Sequence, residues 1–226
     1  MSGAGEAPQR SGRPRAGADP LGPLDKWLDG LSPTAVHITE VGRRLLLERG
    51  YEAVTIEGVA LEANVDRETV RRLFASKAGL VHAIWDRLQI EQWDGLVERT
   101  RAYPPGDRLD AYLRGLGTLL ADPRIAIATA EVASHGLRDA AIRPRLAADY
   151  DIVRASTVEV AGLAELAGRD EPRVRVLVSM IVALIDGLGL QIAADSDAVD
   201  IDGLFALFAD MVQLLLAAEG GAKGGV

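Results

Sequence analysis

GYEAVTIEGVALEANVDRETVRRLFASKAGL, residues 50 to 80, is the stretch that decides the fold. Its apolar residues recur at steps of three and four in two short blocks, the spacing of amphipathic helices and not the alternation of strands. The first block runs from about Ile56 to Ala63 and turns Ile56, Val59, Ala60 and Ala63 inward. Asn64 follows, a residue that tolerates the left-handed backbone of a tight turn. Asp66 then caps a second helix by accepting from the free amides of its first turn. Val70, Leu73 and Phe74 face inward, which leaves Arg67, Glu68, Thr69, Arg71 and Arg72 outside. Two short helices joined by a tight turn, with a third helix starting behind them, make the pattern of a helix-turn-helix DNA-reading unit.

Working outward, Ser32-Pro33 is a strong helix start, and Val36, Ile38, Val41, Leu45, Leu46 and Leu47 give one amphipathic helix that stops at Gly50 and packs behind the pair. Thr55 caps the next helix and, at a helix N-terminus, is placed to donate to a phosphate. Ser76 and Lys77 open a fourth helix, Ser as cap and Lys as a point charge for phosphate. That helix carries Leu80, Ile84, Trp85, Leu88, Trp93, Leu96 and Val97 before Pro104-Pro105 stops it, and it is the lever between head and body.

Gly50-Tyr51, Thr55, Val59-Ala60, Ala63-Asn64-Val65, Thr69-Val70 and Phe74-Ala75-Ser76-Lys77 resemble the N-terminal domain of the tetracycline-repressor (TetR) family in order and spacing. The resemblance implies a three-helix head that binds a double-stranded operator, with a body that binds a small ligand and dimerises. Carried onto this chain, the DNA-contacting set is Thr55, Arg67, Glu68, Thr69, Arg71, Arg72 and Lys77. Departures fall on the DNA face: Asn64-Val65-Asp66 stands where the family commonly has Gly-Val-Ser, Glu68 where it has a small residue, Arg71 where it has Tyr, and Leu73 where it has an aromatic residue or His. Arg71 keeps a phosphate donor. A carboxylate at Glu68 is repelled by phosphates unless it accepts from a cytosine amine in the major groove. Two outcomes stay open: an unusual operator, or a head that no longer reads DNA on a scaffold that still binds a small molecule or partner.

The rest of the chain reads as helical, giving an all-α protein of about nine helices. Leu109 to Leu120 mark a fifth helix, Asp122-Pro123 starts a sixth that Gly136 ends, and a seventh runs from about Ile142 to Leu166, with Gly168 beyond it. Pro172 begins an eighth that is apolar on nearly every side, and a helix apolar all round must be covered all round. With the last helix, Ile201 to Ala218, it is expected to form a hairpin completed by a symmetry mate through Leu177, Ile181, Leu184, Leu188, Phe205, Phe208 and Val212. Leu184-Ile185-Asp186-Gly187-Leu188 also resembles a stretch of the family's eighth helix. A ligand cavity is expected among helices four to eight, for a largely apolar effector, with Trp93, Tyr112, His135, Tyr150 and Met180 as candidate contacts and plain core packing as the alternative for each.

The net charge of −8 excludes a general nucleic-acid coat, since non-specific affinity comes from neutralising phosphates. Between residues 33 and 88 eight basic side chains meet eight acidic ones, so DNA contact must be local. Cysteine is absent, which removes disulfides, thiolate metal sites and cysteine nucleophiles. His37, His82 and His135 lie far apart and show no metal spacing, and no phosphate loop or hydrolase motif occurs. The reading is therefore no enzyme, no metal and no cofactor. The longest apolar run, Val176 to Ile185, is short of the roughly 20 residues a membrane helix needs. With no signal-peptide pattern, the expected location is the cytoplasm. Four segments follow: an arm and lead-in over 1–31, the head over 32–78, the body over 79–219 and a tail over 220–226. Within the arm, Arg10, Arg13 and Arg15 suit either a minor groove or solvent, and Trp27 and Leu28 mark a short helical turn.

Overall fold

The computed structural model describes residues 30–140, 142–164, 171–197 and 199–222. The arm with its arginines, the Trp27–Leu28 turn, and Leu166 and Gly168 lie outside them. Among the described residues the chain is α-helical with short 3-10 turns and no strand.

Helix α1 is Pro33–Arg49. Ser32 Oγ accepts from the Ala35 amide at 3.2 Å and Pro33 takes the first helical position. Gly50 stops the helix with φ 79°, a conformation that strains any other residue, and its N–H donates to the Leu46 carbonyl at 3.0 Å. Helices α2 (Ile56–Glu62) and α3 (Arg67–Phe74) follow, joined through Asn64 at φ 53°. Ile38, Val59 and Val70, all fully buried, close the core of the head. Leu73 departs from the expected inward position and is 38 % exposed. At about 100° per residue it falls to the side of the Val70–Phe74 stripe, which alone reaches the core.

Helix α4 (Lys77–Arg101) starts on Ser76, whose Oγ accepts from the Gly79 amide at 3.1 Å. Its 25 residues serve both halves: Leu80, Ile84 and Leu88 belong to the head core, and Trp93, Leu96 and Val97 to the body core. Gly42 lets α1 press against it, because a Cβ there would collide with the Ile84 side chain.

Helix α5 is Arg108–Gly115, and the expected fifth helix breaks there into a 3-10 turn, Leu116–Leu120. Gly115 and Gly117 weaken the α-helix, and the Thr118 hydroxyl donates to the Gly115 carbonyl at 2.7 Å. Helix α6 (Pro123–Arg138) starts on Asp122 and passes through Gly136 instead of ending at it; that glycine makes room for Leu146. Helix α7 (Arg143–Val160) is shorter than the sequence suggested. Gly162 at φ 71° turns the chain, and the Leu163 amide donates to the Val158 carbonyl at 2.8 Å.

The last helices are α8 (Glu171–Ala194) and α9 (Ile201–Ala222). They are not the expected hairpin: α8 lies chiefly on α6 and α7, and α9 on α5. Leu177, Ile181, Leu188, Phe205 and Val212 are buried inside a single chain, so these five do not form the face left for a partner, while Leu184 and Phe208 are half-buried on the same core. Both helices are apolar around most of their circumference, and periodicity therefore does not distinguish the inner face from the outer one. The outer faces carry Val176, Met180 and Leu190 on α8 and Leu207, Met211, Leu214 and Leu215 on α9, all more than half exposed. By length and composition alone α8 is apolar enough to cross a membrane, but in this fold one side of it is packed on α6 and α7.

Candidate nucleic-acid interface and effector cavity

The head presents α3 on a fixed base. Thr55 Oγ1 accepts from the Gly58 amide at 2.9 Å, so its own proton remains for an external acceptor. Asp66 Oδ1 accepts from the Thr69 amide at 2.8 Å and Oδ2 from the Thr69 hydroxyl at 2.7 Å. Those two bonds hold the Asp66 carboxyl below its ordinary range. They also turn Thr69 into a half-buried support for the cap, while Arg67, Glu68, Arg71 and Arg72 stand exposed.

Two of the expected phosphate donors already have acidic partners. Arg71 Nη2 lies 3.1 Å from Glu57 Oε1, and Lys77 Nζ lies 3.0 Å from Glu52 Oε2 and 4.4 Å above the Tyr51 ring. Lys77 in turn holds the Glu52 carboxyl below its ordinary value. Exposed pairs of this kind are worth about 0–1 kcal/mol each, little enough to be exchanged for phosphate. Arg67 and Arg72 have no ion pair among the described residues. Sequence reasoning missed Glu57 and Glu52; the available signal was their place in the first turns opposite α3 and α4.

The head is also tied to the body. The Glu131 carboxylate on α6 accepts from the Tyr51 amide at 2.7 Å, and the His135 ring stacks on Tyr51 at 3.8 Å with planes 4° apart. Ala128 and Val132 of α6 complete the head core. His135 thus lines a cleft of about 470 Å³ between head and body, not the expected ligand cavity.

That cavity lies between α4, α6, α7 and α8, with a volume of about 260 Å³. Two of the five expected contacts line it, Trp93 and Tyr150, together with Gln89, Gln92, Leu119, Thr129 and Ile185. Asp186 stands at its rim and accepts from the Tyr150 hydroxyl at 3.3 Å. Partial burial raises the Asp186 carboxyl above its ordinary value, against the pull of that hydrogen bond. Burial and the neighbouring Asp186 push the Tyr150 hydroxyl up to about 12. Tyr112 is elsewhere, 1 % exposed in the body core; Thr157 gives its proton to the Val153 carbonyl, so Tyr112 donates to Thr157 Oγ1 at 2.8 Å. Met180 is 54 % exposed on the outer side of α8. From sequence Asp186 stood only within the Leu184–Leu188 stretch associated with dimerisation, and nothing local marked it as a cavity residue.

A capped helix-turn-helix on an all-helical body that encloses a cavity defines a DNA-binding regulator. Residues 38–84 match the family profile described as bacterial regulatory proteins, tetR family, and residues 105–217, half the chain, match that of the BetI-type transcriptional repressor C-terminal region. The chain therefore belongs to the TetR family of transcriptional regulators. It is 39 % identical over 54 residues to the uncharacterized HTH-type transcriptional regulator YvkB of Bacillus subtilis strain 168, a match spanning 24 % of this chain and 29 % of that protein. Among solved structures it resembles a putative transcriptional regulator from Pseudomonas aeruginosa PAO1, with TM-score 0.60, 19 % identity and coverage of 89 % of this chain and 97 % of that one. A putative transcriptional regulator from Saccharomonospora viridis in complex with choline gives TM-score 0.57, 22 % identity and coverage of 81 % and 97 %. The repressor AlkX of Dietzia sp., implicated in biodegradation of n-alkanes, gives 0.52, 18 %, and 83 % and 96 %. At these identities the likeness establishes the fold.

Proposed function

We propose that the chain is a homodimeric repressor, working on DNA in the cytoplasm, that a small molecule releases from its operator. The observation that carries this is the double use of two helices. Helix α4 bears the head at its start and Gln89, Gln92 and Trp93 on the cavity further along. Helix α6 lines the cavity with Ala126, Thr129 and Ala133 and holds the head through Glu131 and Val132. A molecule that fills the cavity pushes on both helices, and a shift of the heads in a dimer loses register with half-sites about 34 Å apart. The partner seats on the outer apolar faces of α8 and α9.

Apolar and aromatic walls with one carboxylate at the rim suit a largely apolar molecule that carries a positive charge. The putative transcriptional regulator from Saccharomonospora viridis, of the same fold, is in complex with choline, an organic cation. Retention of a duplex from the chain's own promoter region, titrated with salt, tests DNA reading; no sequence-specific retention at low salt sinks it. A second reading, a ligand-binding protein whose head has lost DNA, is favoured by the Glu57–Arg71 and Glu52–Lys77 pairs and by Glu68. The same titration separates the two.

A further inference from the structure

We propose that His82, Asp86 and Asp149 form a binding site for a divalent transition-metal ion that ties the head-bearing helix α4 to α7 of the body. His82 and Asp86 are four residues apart on α4 and so lie one turn apart on one face, the spacing by which a helix offers two ligands to one ion. Asp149 comes from α7. The imidazole is 2 % exposed, with Nδ1 3.2 Å from Asp86 Oδ1 and Nε2 3.3 Å from Asp149 Oδ2. One ligand atom from each of the three lies within 4.8 Å of the others.

Neither ring nitrogen has a hydrogen-bond partner in acceptable geometry. Only one nitrogen of an imidazole can ligate a given ion, and one oxygen from each of the two carboxylates lies within 4.8 Å of such a nitrogen, near enough for the three to close on an ion between them. With ligand distances of about 2.1 Å, a tetrahedral zinc site has ligand–ligand edges of about 3.4 Å, and the 4.8 Å span of the three ligand atoms must contract toward that value on binding. The charges agree: two carboxylates carry the two negative charges that one divalent ion neutralises. An imidazole with two carboxylates suits zinc, cobalt, nickel or manganese better than the all-oxygen preference of magnesium or calcium. The cleft between head and body is lined by His82 with Tyr51, His135 and Asp139, so the proposed site lies beside it. Bound there, the ion fixes α4 near its head end.

The test uses the untagged full chain after chelator treatment, titrated calorimetrically with zinc chloride, and with cobalt chloride followed by visible absorption. Expected are one ion per chain, a cobalt spectrum of four- or five-coordinate type, and at least tenfold weaker zinc binding in Asp149→Asn and His82→Asn. Asp149→Asn is the decisive variant if His82→Asn fails to fold, and His135→Ala, which alters the exposed histidine of the same cleft, leaves affinity unchanged. No saturable binding, an adventitious ion only (weak, multiple, insensitive to Asp149→Asn), or affinity that follows His135 would overturn the proposal.

Discussion

Glu57→Gln is expected to strengthen operator binding, and Arg71→Ala to weaken it on every sequence. In the free protein the Arg71 guanidinium sits 3.1 Å from the Glu57 carboxylate, with both side chains well exposed. Breaking an exposed pair costs about 0.2–1 kcal/mol, so releasing Arg71 to a phosphate returns about 1.4- to 5-fold in affinity. Loss of a carboxylate beside the phosphate backbone adds to this in the same direction. Arg71→Ala removes one phosphate contact and lowers the slope of log affinity against log salt by ~0.9. Between 50 and 200 mM salt the variant therefore loses about 3.5-fold less affinity than the parent. Fluorescence anisotropy of a labelled promoter duplex over that range reads both numbers, and circular dichroism melts confirm folding, which neither surface change disturbs. Weaker binding by Glu57→Gln, together with an unchanged slope for Arg71→Ala, would refute the assignment of Arg71 to the DNA face.

Other outcomes follow from the same geometry. Leu207→Glu with Met211→Glu places charge on the exposed stripe of α9 and should convert a dimer to monomers, with at least a tenfold rise in dissociation constant by analytical ultracentrifugation; an unchanged dimer puts the interface elsewhere. Gly42→Ala drives a methyl into Ile84 and should destabilise the head by about 1–3 kcal/mol in thermal melts, and a neutral result would mean that α1 and α4 separate freely. Asp186→Asn should abolish any preference of the cavity for tetraethylammonium over a neutral alcohol of similar size, read by calorimetry; a preference that survives moves the charge recognition off Asp186. Thr69 lowers the Asp66 carboxyl, so the cap stabilises α3 fully above the unfolded value near pH 4 and is lost as pH falls through the lower folded one. Asp66→Asn should flatten that part of the melting-temperature profile below pH 4, and an identical profile would deny the cap its role.

Much of the head was legible because its signals are local. Ser32, Thr55, Asp66 and Ser76 cap the helices they were expected to cap, Gly50 ends α1 and Asn64 makes the left-handed turn, each decided within four residues of the chain. The body was legible only as helices. In α8 and α9 apolar residues surround the axis, so five of the seven expected interface positions went inside, Leu184 and Phe208 are half-buried, and Met180 and Met211 stayed out. Tyr112 has the size and polarity of a ligand contact, but a hydroxyl from α7 satisfies it in the core. His82 displayed only half of its environment, the Asp86 one turn away; Asp149 arrives from a helix distant in sequence. Glu131 reaches Tyr51 across the head–body boundary in the same way.

The most direct measurement of whether this head reads DNA is selection of genomic fragments by the purified full chain, followed by sequencing of what is retained. A reading head predicts enrichment of a two-fold-related sequence, including one near the chain's own promoter, with retention that falls steeply as salt rises. Fragments recovered without a shared sequence, or none recovered at low salt, would contradict the assignment of the α2–turn–α3 head to an operator.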